Sequence, residues 1–68
     1  MKVRDVIAIL QANGFVLDRQ KGDHRQFEGL VREMRRIVTV PGRLGDDLPR
    51  GTLASIRRQS GLPGRLFR

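Results

Sequence analysis

The spacing of apolar residues along this chain changes period twice, and that change leaves few folds open. Val3, Val6, Ile7 and Leu10 fall at i, i+3, i+4 and i+7, the stripe of a helix with one buried face, which predicts a helix over 2–13. Gly14 then supplies the left-handed position that ends such a helix, and Phe15 sits where a Schellman cap would press it against Leu10. From Phe15 the period drops to two: Phe15, Leu17 and Arg19 alternate with Val16, Asp18 and Gln20. The polar Lys21-Gly22-Asp23 reads as a tight turn, and His24 to Glu28 resumes the alternation around Phe27. Residues 29–35 follow no strict period and read as the end of the second strand and a turn. Arg36 to Val40 is β-branched along most of its length and is stopped by Pro41-Gly42, which makes it the third strand.

Helical spacing returns after a loop over 41–50 that carries Asp46 and Asp47 and leads into something that needs capping. Leu53 and Ile56 share one side of a helix over 52–60, whose start lies between Leu48, with Pro49 at the first helical position, and Thr52 as N-cap. Gly61 is its C′ residue, with Leu62 able to fold back on Ile56. The tail from Pro63 has no periodicity, although Leu66 and Phe67 call for some cover. With 68 residues there is material for one core, so residues 1–68 form a single domain. The order helix, three strands, helix predicts an α+β domain in which a three-stranded antiparallel sheet carries both helices on one face. This is the layout of double-stranded-RNA-binding domains, a likeness of fold that carries no chemistry by itself.

Charge narrows the partners. Lys and Arg total 14 against 7 acids, a net charge of +7, and only Lys2 and Lys21 are lysines, so the cations are mostly the planar forks that suit phosphate. The absence of cysteine excludes disulfides, thiolate catalysis and cysteine-ligated zinc, and agrees with a reducing cytoplasm. No apolar run approaches a membrane span or the core of a signal peptide, so a cytoplasmic protein without membrane attachment is expected. Asp23, Asp46 and Asp47 could at best form an oxygen site for a hard cation, and no phosphate-binding loop of the Gly-x-x-x-x-Gly-Lys type occurs, so neither a metal nor a nucleotide cofactor is expected.

One histidine, His24, stands out. Strand parity puts Arg25 and Gly29 on the face that buries Phe27, and turns His24, Gln26 and Glu28 to the open face. Imidazole is the one side chain here whose ordinary pKa, about 6.5, suits proton transfer near neutrality. A lone histidine is more often an ordinary surface residue; its place on the open face, between the cations Lys21 and Arg25, weighs the other way. The cations gather in three regions: Arg19, Lys21 and Arg25 about the first turn, Arg32, Arg35 and Arg36 before the third strand, and Arg57 and Arg58 on the second helix. Half of them need be no more than a solvated charged surface, but Arg19, Lys21, Arg25, Arg57 and Arg58 are the candidate RNA contacts. Phe15, Phe27 and Phe67 read as core or tail anchors, which disfavours a sheet that stacks bases.

Several stretches together resemble a known family. Gly14-Phe15, Arg19-Gln20-Lys21-Gly22-Asp23-His24-Arg25, Val38-Thr39-Val40-Pro41-Gly42, Leu48-Pro49-Arg50-Gly51-Thr52-Leu53 with Ser55-Ile56, and Ser60-Gly61-Leu62 are similar, in that order, to the HicA toxins of bacterial type II toxin–antitoxin systems. The resemblance implies a double-stranded-RNA-binding-like fold, mRNA endoribonuclease activity with its catalytic histidine at His24, and neutralisation by a HicB antitoxin in a hetero-oligomer. The chain departs from the family pattern at Asp23, where a small residue is common, and at Arg43, where histidine is common. Asp23 is therefore expected to modulate His24, either by orienting it or by repelling phosphate. A metal-independent reaction is expected, with His24 as general base or general acid and Lys21 and Arg25 beside the phosphorane. The alternatives are a non-catalytic RNA-binding module or a protein-interaction domain using the same basic surface.

Overall fold

The computed structural model describes residues 1–68 and has the order α1 (Val3–Ala12), β1 (Val16–Lys21), β2 (His24–Val31), β3 (Met34–Val40), α2 (Arg50–Ser60) and a final 3-10 turn (Gly64–Phe67). The strands form one antiparallel sheet in the order β1-β2-β3. The expected α-β-β-β-α architecture is therefore the one observed.

The helix ends follow from their sequences. At the end of α1 the Phe15 N–H donates to the Leu10 carbonyl and the Gly14 N–H to that of Gln11, with Gly14 at φ 86, which is the Schellman motif; Leu10 and Phe15 are both buried. The start of α1 has no side-chain cap. Its orphan N–H groups at Val3 and Arg4 donate instead to the carbonyls of Asp46 and Leu44, so the loop after β3 caps the first helix and not the second. A bridge between Lys2 and Asp47 and a hydrogen bond from Lys2 Nζ to the Gly45 carbonyl strap the same loop down. Pro49 is itself the N-cap of α2, and Thr52 lies inside the first turn. Gly61 is left-handed as expected, at φ 68, but the Leu62 N–H is taken by Ser60 Oγ, so Leu62 reaches the core without a Schellman bond.

The core lies between the sheet and the helices. Phe27, Val38 and Val40 of the sheet pack with Val3, Val6 and Leu10 of α1, Ile56 of α2, Leu48, Phe15 and the tail residue Phe67. Phe27 pairs with Val38 and Arg25 with Val40, so these side chains share one face of the sheet and the helices cover that face alone. At the centre Gly29 has no side chain, and the Phe15 ring occupies the space; a Cβ there would stand 2.8 Å from Phe15 Cγ. Gly29→Ala is expected to cost about 1–3 kcal/mol by forcing that ring aside, which a denaturant titration would read as a lower midpoint.

Three features of the sheet differ from the sequence reading. Lys21 belongs to β1, so the first hairpin loop is Gly22-Asp23 alone, with Gly22 at φ 58. β2 continues to Val31, and β3 begins at Met34 rather than Arg36, because the irregular stretch is a two-residue loop, Arg32-Glu33. Both loop residues have positive φ, 53 and 66, the conformation that type I′ hairpins usually fill with Asn-Gly. Replacing them with Asn and Gly is expected to raise stability by about 1 kcal/mol, since each left-handed residue with a bulky side chain costs about 1–2 kcal/mol and part of the relief is offset by glycine's entropy. A rise in Tm checks it.

The third difference sets the face of two candidate residues. Val16 pairs with Glu28 and Leu17 with Phe27, but Arg19 pairs with Gln26, so Asp18 is the extra residue of a β-bulge. Beyond it the parity of β1 is reversed. Arg19 and Lys21, which simple alternation groups with Phe15 and Leu17, stand instead on the open face beside Gln26 and His24.

Candidate functional site

The open face can be read from the register as rows across the sheet. Lys21 lies opposite His24; Arg19, Gln26 and Thr39 form the next row; then come Val16, Glu28 and Ile37, and finally Leu30 with Arg35. His24 is exposed at the first position of β2, immediately after the Gly22-Asp23 loop, which a hydrogen bond from Gln20 Nε2 to the Gly22 carbonyl braces from within. Cross-strand neighbours in such a ladder hold their Cβ atoms about 5 Å apart, close enough for an imidazole and an ammonium to meet one phosphate. Lys21 takes part in no ion pair, whereas Arg19 lies 3.7 Å from Asp18, the residue of the bulge, and is 77% exposed.

The far half of the face is different in kind. Arg35 Nε donates to Glu28 Oε1 at 2.6 Å, and this hydrogen bond holds the Glu28 carboxyl below the usual carboxylate range while raising the Arg35 guanidinium above its own. The pair neutralises itself and sits among exposed Val16 and Leu30. Lys21, at the His24 end, is thus the one cation of these rows without an ion pair.

Arg25 is not among them. It faces the helical layer, half-buried, and its Nη1 donates to the Gly42 carbonyl at 3.0 Å, so it anchors the turn that follows β3 rather than flanking His24. Sequence proximity to His24 is opposed here by strand parity. Arg57 and Arg58 are exposed on α2, in the layer behind the sheet, where Arg58 Nη2 donates to Ser55 Oγ. Asp23 is exposed and forms no ion pair, and Arg43, exposed in the loop, offers its backbone N–H to the Asp46 carboxylate. No three acidic or histidine side chains gather closely enough to hold a metal ion, and no helix is long and apolar enough to cross a membrane.

The distribution of charge was missed by grouping cations along the sequence. Residues 1–47 carry nine cations against seven acids, but residues 48–68 carry five arginines and no acid. Most of the positive excess therefore sits on α2 and the tail, away from His24. Arg50 belongs to this set, and its signal was its spacing of seven from Arg57 on a helix without acids.

The fold and face together define a small two-layer α-β-β-β-α domain with one sheet face uncovered and a histidine and cations at one end of it. The family model described as HicA toxin of bacterial toxin-antitoxin matches residues 3–62, nearly the whole chain, and the protein belongs to the HicA toxin family. It is thus the toxin of a toxin–antitoxin pair, with an antitoxin as its partner. Among curated proteins no sequence matches it.

Proposed function

We propose that this protein is a metal-independent endoribonuclease that cuts mRNA at the open sheet face, with His24 as its catalytic residue, and that a HicB-type antitoxin neutralises it in the cytoplasm. The observation that carries the reading is the cross-strand pair of His24 and Lys21 on the uncovered face of a HicA-family chain.

The chemistry follows from what such a pair can do. Imidazole removes the proton of a ribose 2′-hydroxyl, the 2′-oxygen attacks the adjacent phosphorus, and the bond to the 5′-oxygen breaks, leaving a 2′,3′-cyclic phosphate and a 5′-hydroxyl. Alternatively the protonated ring delivers a proton to the departing 5′-oxygen. One histidine serves one of these steps, and the other proton passes to or from water or a cationic side chain. Lys21 stabilises the extra negative charge of the phosphorane, and Arg19, one row further along the sheet, holds a neighbouring phosphate. Asp23 tunes this site from the loop. Arg25, bonded to Gly42 on the other face, contributes by fixing the turn next to the site. Cleavage of RNA by His24→Ala protein in buffer containing EDTA is the test: product at the wild-type rate excludes the reading, and RNA binding without product from the unaltered protein returns the non-catalytic alternative.

A further inference from the structure

We propose that the groove on α2 between Arg50 and Arg57 is a second contact for single-stranded RNA, holding the strand on the helical layer while another stretch of it lies over His24. This rests on the endoribonuclease reading above. The groove is a surface concavity of about 290 Å³ lined by Arg50, Leu53, Ala54 and Arg57. Those positions are spaced i, i+3, i+4 and i+7, so they form one stripe along the helix, with the two arginines about 10 Å apart along its axis.

The chemistry of the stripe fits a sugar-phosphate backbone. Both arginines are exposed and neither forms an ion pair, and no acidic residue occurs anywhere from Leu48 to the end of the chain. Each guanidinium can fork onto a different phosphate, while the sugar or base between them lies on the half-buried Leu53 and Ala54. A partner helix fits less well. Helix-in-groove binding depends on large apolar anchors entering a deep apolar pocket, and this floor offers one leucine and one alanine, both already packed half out of solvent. Phosphates need no such anchor.

The groove also extends the footprint of the RNA. α2 lies in the layer behind the sheet, so a strand in contact with both places passes round an edge of the two-layer fold.

The test uses His24→Ala protein, so that RNA stays intact, with a 20-nucleotide single-stranded RNA and fluorescence anisotropy over a series of salt concentrations. Adding Arg50→Ala and Arg57→Ala is expected to weaken binding about tenfold at low salt and to make the slope of log K against log salt shallower by about 1.4, the loss of two single-strand phosphate contacts. Arg50→Lys with Arg57→Lys should keep most of the slope, and the alanine protein should melt as its parent does. An unchanged slope overturns the proposal, and so does a loss of antitoxin binding with RNA binding intact, which would assign the groove to protein. Because this measurement reads binding without cleavage, its failure is separable from that of His24 as the catalytic residue.

Discussion

His24→Ala is expected to slow RNA cleavage by about 10²–10⁴-fold, the usual contribution of a positioned general acid or base, while leaving the fold and the RNA affinity nearly unchanged. The separation follows from where the residue stands. His24 is exposed at the start of β2 and contributes nothing to the core, and surface substitutions of that kind stay within about 0.5 kcal/mol. Affinity rests mainly on phosphate contacts by cations, and Lys21, Arg19 and the arginines of α2 remain in place. The measurement pairs a gel-based cleavage assay with anisotropy on a non-cleavable RNA. A cleavage rate within a few-fold of wild type removes His24 from the chemistry; a parallel collapse of Tm would mean that the residue had been structural.

Phe27→Ala is the substitution expected to damage the fold most. Phe27 is 1% exposed on the central strand, between Leu17 and Val38 in register, and its ring is one of three phenylalanines in the core. Removing it costs about 3–5 kcal/mol in lost transfer energy and residual cavity. A 68-residue domain holds about 3–10 kcal/mol of stability in total, so the change consumes a large part of it or all. At about 4–8 °C of Tm for each kcal/mol in a domain of this size, the melting curve should move down by more than ten degrees or vanish. A shift of under about 5 °C would show that the site closes over the cavity.

The two substitutions are expected to separate stability from chemistry because His24 and Phe27 lie on opposite faces of the sheet. Period-two alternation let both faces of β2 be read from sequence: Phe27 and Gly29 inward, His24, Gln26 and Glu28 outward. The same rule failed on β1, since a bulge is a local choice of the strand pair, and nothing in Leu17-Asp18-Arg19 announces it. The loop between β2 and β3 was illegible for a related reason. Arg32 and Glu33 are not turn formers, and only the pairing of Val31 with Met34 forces them into left-handed geometry. At α2 the proline and glycine signals bracketed the helix, but the capping capacity of the preceding loop went to α1, a contact between residues about 40 positions apart in the chain.

By itself the sequence determined the order of elements, the core positions Val6, Leu10, Phe27 and Ile56, and the outward face of His24, because each is set by a local period or a glycine stop that holds whatever the rest of the chain does. Tertiary structure alone decided which cations join that histidine. A bulge at Asp18 brings Lys21 and Arg19 to the His24 face, strand parity and a bond to Gly42 take Arg25 to the other, and folding the charge-rich last third of the chain behind the sheet gathers Arg50 and Arg57 into a separate groove. Proximity along a chain does not fix proximity in space, since in a sheet each extra residue turns every later side chain to the opposite face.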